Sequence, residues 1–173
     1  MSEPSTKEIQ EFVDRQAIHQ VMMRYCHGVD RCDVEMLKTS FWEDGACLYG
    51  GQESNAMDWS EGTVAALSTM VRTFHSVSNY LIDLDGDTAT SETYCTAYHQ
   101  LRGEDGSLTD MIVGGRYLDR HEKRNGEWRI AYRHYVHDWN TNNPSTEHGP
   151  GEMMDAYDRG ERAPTDLYYS MKK

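Results

Sequence analysis

Apolar residues near the start of the chain recur every three or four positions, which is the spacing of one face of a helix. These positions are Ile9, Phe12, Val13, Ile18, Val21, Met22, Tyr25 and Val29. Ser5 and Glu8 stand three residues apart just before this run, as in a capping box. The pattern predicts a long amphipathic first helix that starts after Ser5 and ends near Gly28.

The next stretch predicts two shorter helices around a strand. Val34, Leu37 and Phe41 keep helical spacing and indicate a second helix over Asp33 to Phe41. Residues 46–49 are strand-like and are followed by the breakers Gly50 and Gly51. A third helix is expected over Ser60 to Thr73.

After Phe74 the sequence becomes rich in Tyr, Thr, Val and Ile, which favour strands. Turn-forming sequences at residues 85–87, 103–106 and 125–126 separate these segments and are typical of hairpins. About four antiparallel strands are therefore expected. Helices followed by strands predict an α+β fold.

A change in composition divides the chain near Asn140. The length of 173 residues fits one domain, which we place at residues 1–140. Residues 141–173 are polar and contain Pro144, Pro150 and Pro164. We expect them to form a tail that wraps the domain or a partner subunit.

Charge and cysteine content exclude several classes of function. The formal net charge of -12 disfavours binding to nucleic acid or to an anionic membrane surface. The four cysteines form no CxxC pair, and the first residues lack the basic and apolar segments of a signal peptide. No apolar run approaches the roughly 18 residues needed to cross a bilayer. We expect a soluble, cytoplasmic protein with reduced thiols.

Two possible metal motifs do not satisfy the requirements of a metal site. The run Asp83–Asp87 begins like a calcium loop, but Thr88 and Tyr94 stand where that loop needs glycine and a bidentate acid. His134 and His137 lie three apart in a predicted strand and would face opposite sides. The sequence also lacks HExxH, a glycine-rich phosphate loop and GxSxG. We expect neither a metal nor a cofactor.

A scattered set of polar residues remains within apolar segments. Its members are Tyr25, Asp30, Tyr49, His75, His99 and Arg133. Taken singly, a buried histidine or tyrosine is more often a hydrogen-bonded core residue than a functional one.

Together with the order of the predicted elements, several segments carry a resemblance to a known family. They are Asp14–Ile18, Tyr25–Asp30, Phe41–Ala46, Gly126–Ile130 and Asp138–Trp139. Over residues 8–140 the chain resembles the SnoaL-like group of the nuclear transport factor 2-like superfamily. The resemblance implies a cone-like, curved antiparallel sheet that encloses an apolar pocket with about three N-terminal helices.

The resemblance also implies activities and site residues. The group includes scytalone dehydratase, hexachlorocyclohexane dehydrochlorinase, bile acid 7α-dehydratase and polyketide cyclases. The first two pair an aspartate at the end of the first helix with a histidine after the third, and Asp30 and His75 match these positions. Tyr25 occupies the polar position five residues before that aspartate, and Tyr49 resembles the tyrosine that the dehydratases place on the first strand. His99 resembles the second histidine of scytalone dehydratase.

Further residues are expected to bind the substrate. Arg133 resembles an arginine that some members carry on the last strand, where it would orient a polar substituent or form a structural ion pair. An apolar, aromatic pocket is expected from Phe74, Met70, Tyr94, Tyr98 and Met111.

These residues suit proton abstraction without a cofactor, followed by loss of a group such as water. His75 would act as the base and Asp30 would fix its tautomer. The hydroxyls of Tyr25 and Tyr49 would stabilise the charge that develops on an oxygen, and His99 would protonate the leaving hydroxyl.

The position of Tyr25 sets a condition on this mechanism. Tyr25 and Asp30 are separated by roughly 140° on an unbroken helix. A break at Gly28 would let both face the pocket, whereas an unbroken helix would remove Tyr25 from the mechanism.

Three functions stay open at this point. The first is a lyase or isomerase of the dehydratase kind, including carbon–carbon cleavage such as formaldehyde loss. Its substrate would be a small hydrophobic molecule of aromatic, polyketide-like or steroid-like type. The second is a binding or assembly subunit like a dioxygenase β subunit, with Asp30 and His75 closed off from solvent. The third is a polyketide cyclase with an acidic base. The resemblance further implies a homo-oligomer, as a dimer or trimer.

Overall fold

The computed structural model describes residues 3–146 and 156–171, which form four helices and one six-stranded sheet. The helices are α1 (Thr6–Arg31), α2 (Val34–Lys38), α3 (Ala56–Ser68) and α4 (Leu167–Met171). The strands are β1 (Phe41–Tyr49), β2 (Gln52–Asn55), β3 (Arg72–Asp85), β4 (Thr88–Arg102), β5 (Leu108–Arg124) and β6 (Glu127–Pro144). The α+β fold is confirmed.

The sheet is curved and unclosed, with the strand order β2-β1-β6-β5-β4-β3. All neighbours are antiparallel except β1 and β6, which are parallel. The three predicted hairpin turns connect β3 to β4, β4 to β5, and β5 to β6. Strand β2 was missed because residues 52–55 are polar and exposed. It follows Gly50 and Gly51, whose positive φ angles of 58° and 79° make a tight hairpin turn.

Helix α1 begins as predicted but continues past its expected end. Ser5 and Glu8 form the capping box. The helix continues through Gly28 to Arg31 and stops at Cys32, which has a left-handed conformation with φ 51°. The expected break at Gly28 is therefore wrong.

Gly28 has a packing role instead. A Cβ atom built on it would lie 2.8 Å from the Cα of Leu37. Leu37 is fully buried in α2. The missing side chain allows α2 to pack directly against the last turns of α1.

The two shorter helices are displaced from their predicted bounds. Asp33 caps α2 through the Met36 amide, and Phe41 already belongs to β1. Helix α3 starts earlier than expected because Asn55 accepts a hydrogen bond from the Met57 amide and caps it. It ends at Ser68, since the chain enters β3 at Arg72.

The described part of the C-terminal segment packs against the domain. Strand β6 extends to Pro144, beyond the boundary predicted at residue 140. The Ala163 amide donates to the Arg31 carbonyl at 2.7 Å. The Tyr169 hydroxyl donates to the carboxylate of Asp33 at 2.6 Å. Both contacts lie at the C-terminal end of α1, whereas Pro150 lies outside the described residues.

Gly28 provides a test of this packing. We expect Gly28→Ala to lower the free energy of unfolding by about 1–3 kcal/mol, because the added methyl group overlaps the α2 backbone. Urea unfolding measures the change. Gly62→Ala is the matched control, since Gly62 lies in α3 and a methyl group added there would meet no atom within 4 Å. It should gain about 0.5–1 kcal/mol from helix propensity. Equal effects at both sites would contradict the packing role.

Candidate active site

A cavity of about 260 Å³ lies between helices α1 and α3 and the inner face of the sheet. Its wall consists of Tyr25, Val29, Tyr49, Trp59, Thr63, Leu67, His75, Cys95, Ala97, His99, Val113, Tyr117 and Tyr135. Apolar and aromatic groups dominate, and the described wall holds no acidic side chain. Its two histidines are therefore the best candidates for moving a proton.

His75 and Asp30 form a closely bound pair beside this cavity. The Nδ1 atom of His75 lies 2.7 Å from Asp30 Oδ1, and the His75 amide donates to Asp30 Oδ2 at 2.8 Å. Both carboxylate oxygens therefore hold the histidine. A carboxylate acceptor favours the tautomer with hydrogen on Nδ1, which leaves Nε2 as an acceptor. Among the described residues, none is hydrogen-bonded to Nε2.

The unbroken helix places Tyr25 and Asp30 on different sides of this arrangement. Tyr25 and Val29, four residues apart, both line the cavity. Asp30 lies next to the wall and reaches the cavity only through the ring of His75. An unbroken helix was expected to remove Tyr25 from the mechanism, but Tyr25 lines the cavity on the unbroken helix, because Asp30 does not need to face the cavity itself.

His99 lies on β4 beside His75. The ring centroids are 5.2 Å apart and the planes are nearly perpendicular, at 87°. Burial, followed by the proximity of His75, lowers the pKa of His99 to about 4. Its Nδ1 atom is buried without a hydrogen-bond partner in the described structure. His99 is thus neutral near pH 7. It does not carry a proton in the resting protein that it could give to the leaving hydroxyl, and it is better suited to forming a neutral hydrogen bond.

Three tyrosine hydroxyls meet at the cavity wall. Those of Tyr25 and Tyr49 lie 3.1 Å apart, and the thiol of Cys95 donates to Tyr117 at 3.2 Å. Burial raises the pKa of Tyr25 to about 12 and that of Tyr49 well above its usual value. Both hydroxyls therefore remain protonated and can donate hydrogen bonds.

Aromatic stacking fixes the ring of Tyr49. Trp59 stacks on this ring at a centroid distance of 4.6 Å, and Tyr135 stacks on it at 5.2 Å. Helix α3 supplies Trp59 and β6 supplies Tyr135, so the ring is fixed by two separate elements.

Arg133 lies behind the cavity wall. It is fully buried, and its Nε and Nη2 atoms donate to the two carboxylate oxygens of Asp119 at 2.8 and 2.7 Å. Its guanidinium carbon lies 4.1 and 4.0 Å from the ring centroids of Tyr25 and Tyr117. The prediction that Arg133 contacts the substrate directly was therefore wrong. Arg133 instead forms the structural ion pair that was the alternative prediction.

Strand alternation corrects most of the predicted pocket residues. His75 faces the cavity, so its neighbour Phe74 faces outward and is 59 % exposed. Tyr94, next to the cavity residue Cys95, is likewise exposed. Tyr98 is paired with Phe74 across the sheet and lies on the same outer side. The prediction that these three line the pocket was wrong.

Two methionines of the predicted pocket also lie outside the wall. Met111 is paired with His99 in the β4–β5 register and shares its face, but it is not part of the wall. Met70 packs against the hydrophobic core after α3.

Sequence reasoning missed several wall residues. Trp59, Thr63 and Leu67 recur every four residues and so share one face of α3, a signal that was available. Tyr117 and Tyr135 are partners in the β5–β6 register. That pairing depends on the bulges of the sheet, which the sequence did not reveal.

The two motifs that resemble metal sites occupy ordinary strand positions. Asp83 and Asp85 lie in the β3–β4 hairpin, and His134 and His137 are exposed on β6. Within residues 3–146 and 156–171, no group of three or more His, Cys, Asp or Glu is arranged to hold a metal ion.

The fold and the cavity define a protein of the nuclear transport factor 2-like superfamily. The sequence profile of the SnoaL-like domain matches residues 10–134, and the chain belongs to this family. No match was found among curated proteins.

Solved structures show the same fold. A candidate scytalone dehydratase from Novosphingobium aromaticivorans is 25% identical, with a TM-score of 0.68 over 80% of this chain and 97% of its own. The hexachlorocyclohexane dehydrochlorinase LinA-type3 from Novosphingobium barchaimii is 16% identical, with a TM-score of 0.72 over 83% and 99%. A Mycobacterium tuberculosis protein of unknown function is 29% identical, with a TM-score of 0.63 over 75% and 74%.

The helices give no sign of a membrane span. Across the described part of the chain, none is both long and apolar enough to cross a bilayer.

The low pKa of His99 predicts how stability depends on pH. The unfolded chain binds a proton on this histidine below about pH 6.5, but the folded chain does so only near pH 4. The free energy of unfolding should therefore fall as the pH drops through this window. We expect His99→Asn to reduce the slope of the unfolding free energy against pH by up to about 1.4 kcal/mol per pH unit. This value corresponds to the uptake of one proton on unfolding.

Urea unfolding at intervals from pH 4 to pH 7 measures both slopes. His121, which is also buried and has a pKa lowered to about 4, remains in both proteins and cancels in the comparison. Identical slopes would show that His99 titrates normally in the folded state.

Proposed function

We propose that this protein is a cofactor-independent lyase that eliminates water, or a comparable group, from a hydrophobic small molecule. The observation that carries the proposal is the placement of His75 on the cavity wall with Nδ1 held 2.7 Å from Asp30. This arrangement leaves Nε2 as the base. The similarity to a candidate scytalone dehydratase adds support.

The first step is removal of a proton from a carbon next to a carbonyl group. His75 Nε2 takes the proton, and the C–H electron pair moves towards the carbonyl oxygen to give an enolate. Asp30 stabilises the imidazolium that forms, since its carboxylate already accepts from Nδ1. General-base catalysis of this kind contributes about 10² to 10⁴ in rate.

The second step is departure of the hydroxyl group. The enolate electrons form the C=C bond, the C–O bond breaks, and the leaving oxygen takes a proton to depart as water. The imidazolium of His75 holds the proton that balances this step. His99, being neutral, acts as a hydrogen-bonding group towards the leaving oxygen or as a relay for that proton.

Tyrosine hydroxyls supply the charge stabilisation that the base alone does not. The Tyr25 and Tyr49 hydroxyls are adjacent and protonated. One donor of this type is worth about 3 kcal/mol of barrier when it points at a developing oxyanion. The buried positive charge of Arg133 beneath the Tyr25 ring favours negative charge at this end of the cavity.

The shape of the wall indicates the substrate class. Stacked aromatic rings and aliphatic groups surround a few hydroxyl and imidazole groups, which suits an aromatic or polyketide-like molecule with a hydroxyl and a carbonyl. Carbon–carbon cleavage, such as formaldehyde loss, belongs to the same proposal and uses the same base. His75 would then take the proton of a hydroxymethyl group, the C–C bond would break as the C=O bond of formaldehyde forms, and the imidazolium would return the proton to the carbon left behind.

A binding or assembly subunit is the second candidate. Its supporting observation is that the side chains of Asp30 and His75 are each only 9% exposed, as expected for a structural pair. A polyketide cyclase with an acidic base has less support, because the described wall has no carboxylate of its own.

Replacing His75 separates these functions. We expect His75→Ala to lower turnover of a β-hydroxy aryl ketone by about 10² to 10⁴-fold, because the base is lost. The melting temperature should stay within a few degrees. Turnover is measured from the growth of the ultraviolet absorbance of the conjugated product. The proton-removal step is measured separately, as exchange in D2O at the carbon next to the carbonyl of an analogue that lacks the hydroxyl.

The matched control is His134→Ala, which removes an exposed histidine on the outer side of β6. Its turnover should equal that of the unaltered protein. Absence of deuterium exchange in the unaltered protein, together with a His75→Ala variant that fails to fold, would overturn the lyase in favour of the assembly subunit.

A further inference from the structure

Arg162, in the C-terminal segment, makes several contacts with the elements that carry the His75–Asp30 pair. Its Nη1 donates to the main-chain carbonyl of Asp30 and to the hydroxyl of Thr73. Its Nη2 donates to the carbonyls of Leu67 and Met70, at 3.3 and 3.4 Å. One guanidinium therefore joins the end of α1, the end of α3 and the start of β3.

These contacts add to the hydrogen bonds at the carbonyls that end two helices: the Leu67 carbonyl also accepts from the Met70 amide at 3.1 Å, and the Asp30 carbonyl from the Thr73 hydroxyl at 3.4 Å. The last carbonyls of a helix have no partner within it, and a positive charge there also interacts favourably with the helix dipole. The Asp30 carbonyl lies in the last turn of α1, and the Leu67 carbonyl lies in the last turn of α3. Arg162 thus caps two helices at once.

The same contacts restrain the candidate catalytic pair. Asp30 accepts from Arg162 through its main chain while its carboxylate accepts twice from His75. Thr73 precedes His75 by two residues on β3, so Arg162 also contacts the strand that carries His75. Leu67 also forms part of the cavity wall.

The C-terminal segment holds Arg162 in place. The neighbouring Ala163 amide donates to the Arg31 carbonyl at 2.7 Å. Arg31 in turn donates to the Glu161 carbonyl at 2.9 Å and to the Asp166 carboxylate at 3.0 Å. The segment donates a hydrogen bond to α1 and accepts others from it, so the two are held together. The guanidinium of Arg162 therefore has a fixed position.

We propose that Arg162 is a positioning residue, which fixes the main chain of Asp30 so that its carboxylate holds His75 in the Nδ1–H tautomer. The catalytic consequence rests on the proposed function, but the effect on the tautomer does not. Lysine is a poor substitute, because an ammonium group is a point charge and lacks the planar fork that reaches both helix ends.

Nitrogen-15 NMR of the histidine rings, with the full chain at pH 7.5, tests this role. In Arg162→Gln we expect the ratio of the Nδ1–H to the Nε2–H tautomer of His75 to fall at least about threefold. In Arg162→Lys the ratio should also fall, but by less. Arg120→Gln is the control, since it removes an exposed arginine near Glu122 on β5 and should leave the ratio unchanged.

Deuterium exchange of the aryl ketone analogue gives the second readout. Arg162→Gln should slow exchange at least about tenfold, because a small misplacement of the base is costly. If the unaltered protein does not exchange, the proposed function fails, whereas the tautomer ratio still decides the role of Arg162.

A folded Arg162→Gln protein with the unaltered tautomer ratio would overturn the proposal. A shift of the same size in Arg120→Gln would overturn it as well. Should Arg162→Gln fail to fold, Arg162→Lys decides: a lowered ratio supports the positioning role, and an unchanged ratio rejects it.

Discussion

The rest of the structure depends on the burial of one positive charge. Arg133 on β6 is fully enclosed and forms an ion pair with Asp119 on β5, to which it donates two hydrogen bonds. Removing one partner from such a buried pair typically costs about 3–5 kcal/mol, because the other charge is left unpaired. The rings of Tyr25 and Tyr117 cover the guanidinium, so the ion pair ties helix α1 to the centre of the sheet.

This arrangement connects the interior of the sheet to the candidate active site. Helix α1 carries both Tyr25, which packs on Arg133, and Asp30, which holds His75. Because the helix continues without a break, the position of one residue determines the position of the other. The close approach of α2 at Gly28 and the contact of Arg162 with the Asp30 carbonyl restrain the same end of the helix.

The cavity illustrates how a sheet assigns its side chains to two environments. His75 and Cys95 line the cavity, while their sequence neighbours Phe74 and Tyr94 are exposed on the other face of the sheet. Aromatic character alone therefore did not identify pocket residues. Strand alternation, counted from His75, would have assigned Phe74 to the outer face before the structure was known.

The sequence by itself determined the family, the α+β order and the separate candidates Asp30 and His75, because helical spacing, turn residues and local motifs are properties of neighbouring positions. The resemblance also predicted that these two form a pair, but only the tertiary structure showed their contact at 2.7 Å, the position of Arg133 behind the wall, and Tyr117 and Tyr135 in the wall. It also brought Arg162 to Asp30, 132 positions away. Such contacts follow from strand register and chain folding, which act between residues far apart and leave no local pattern.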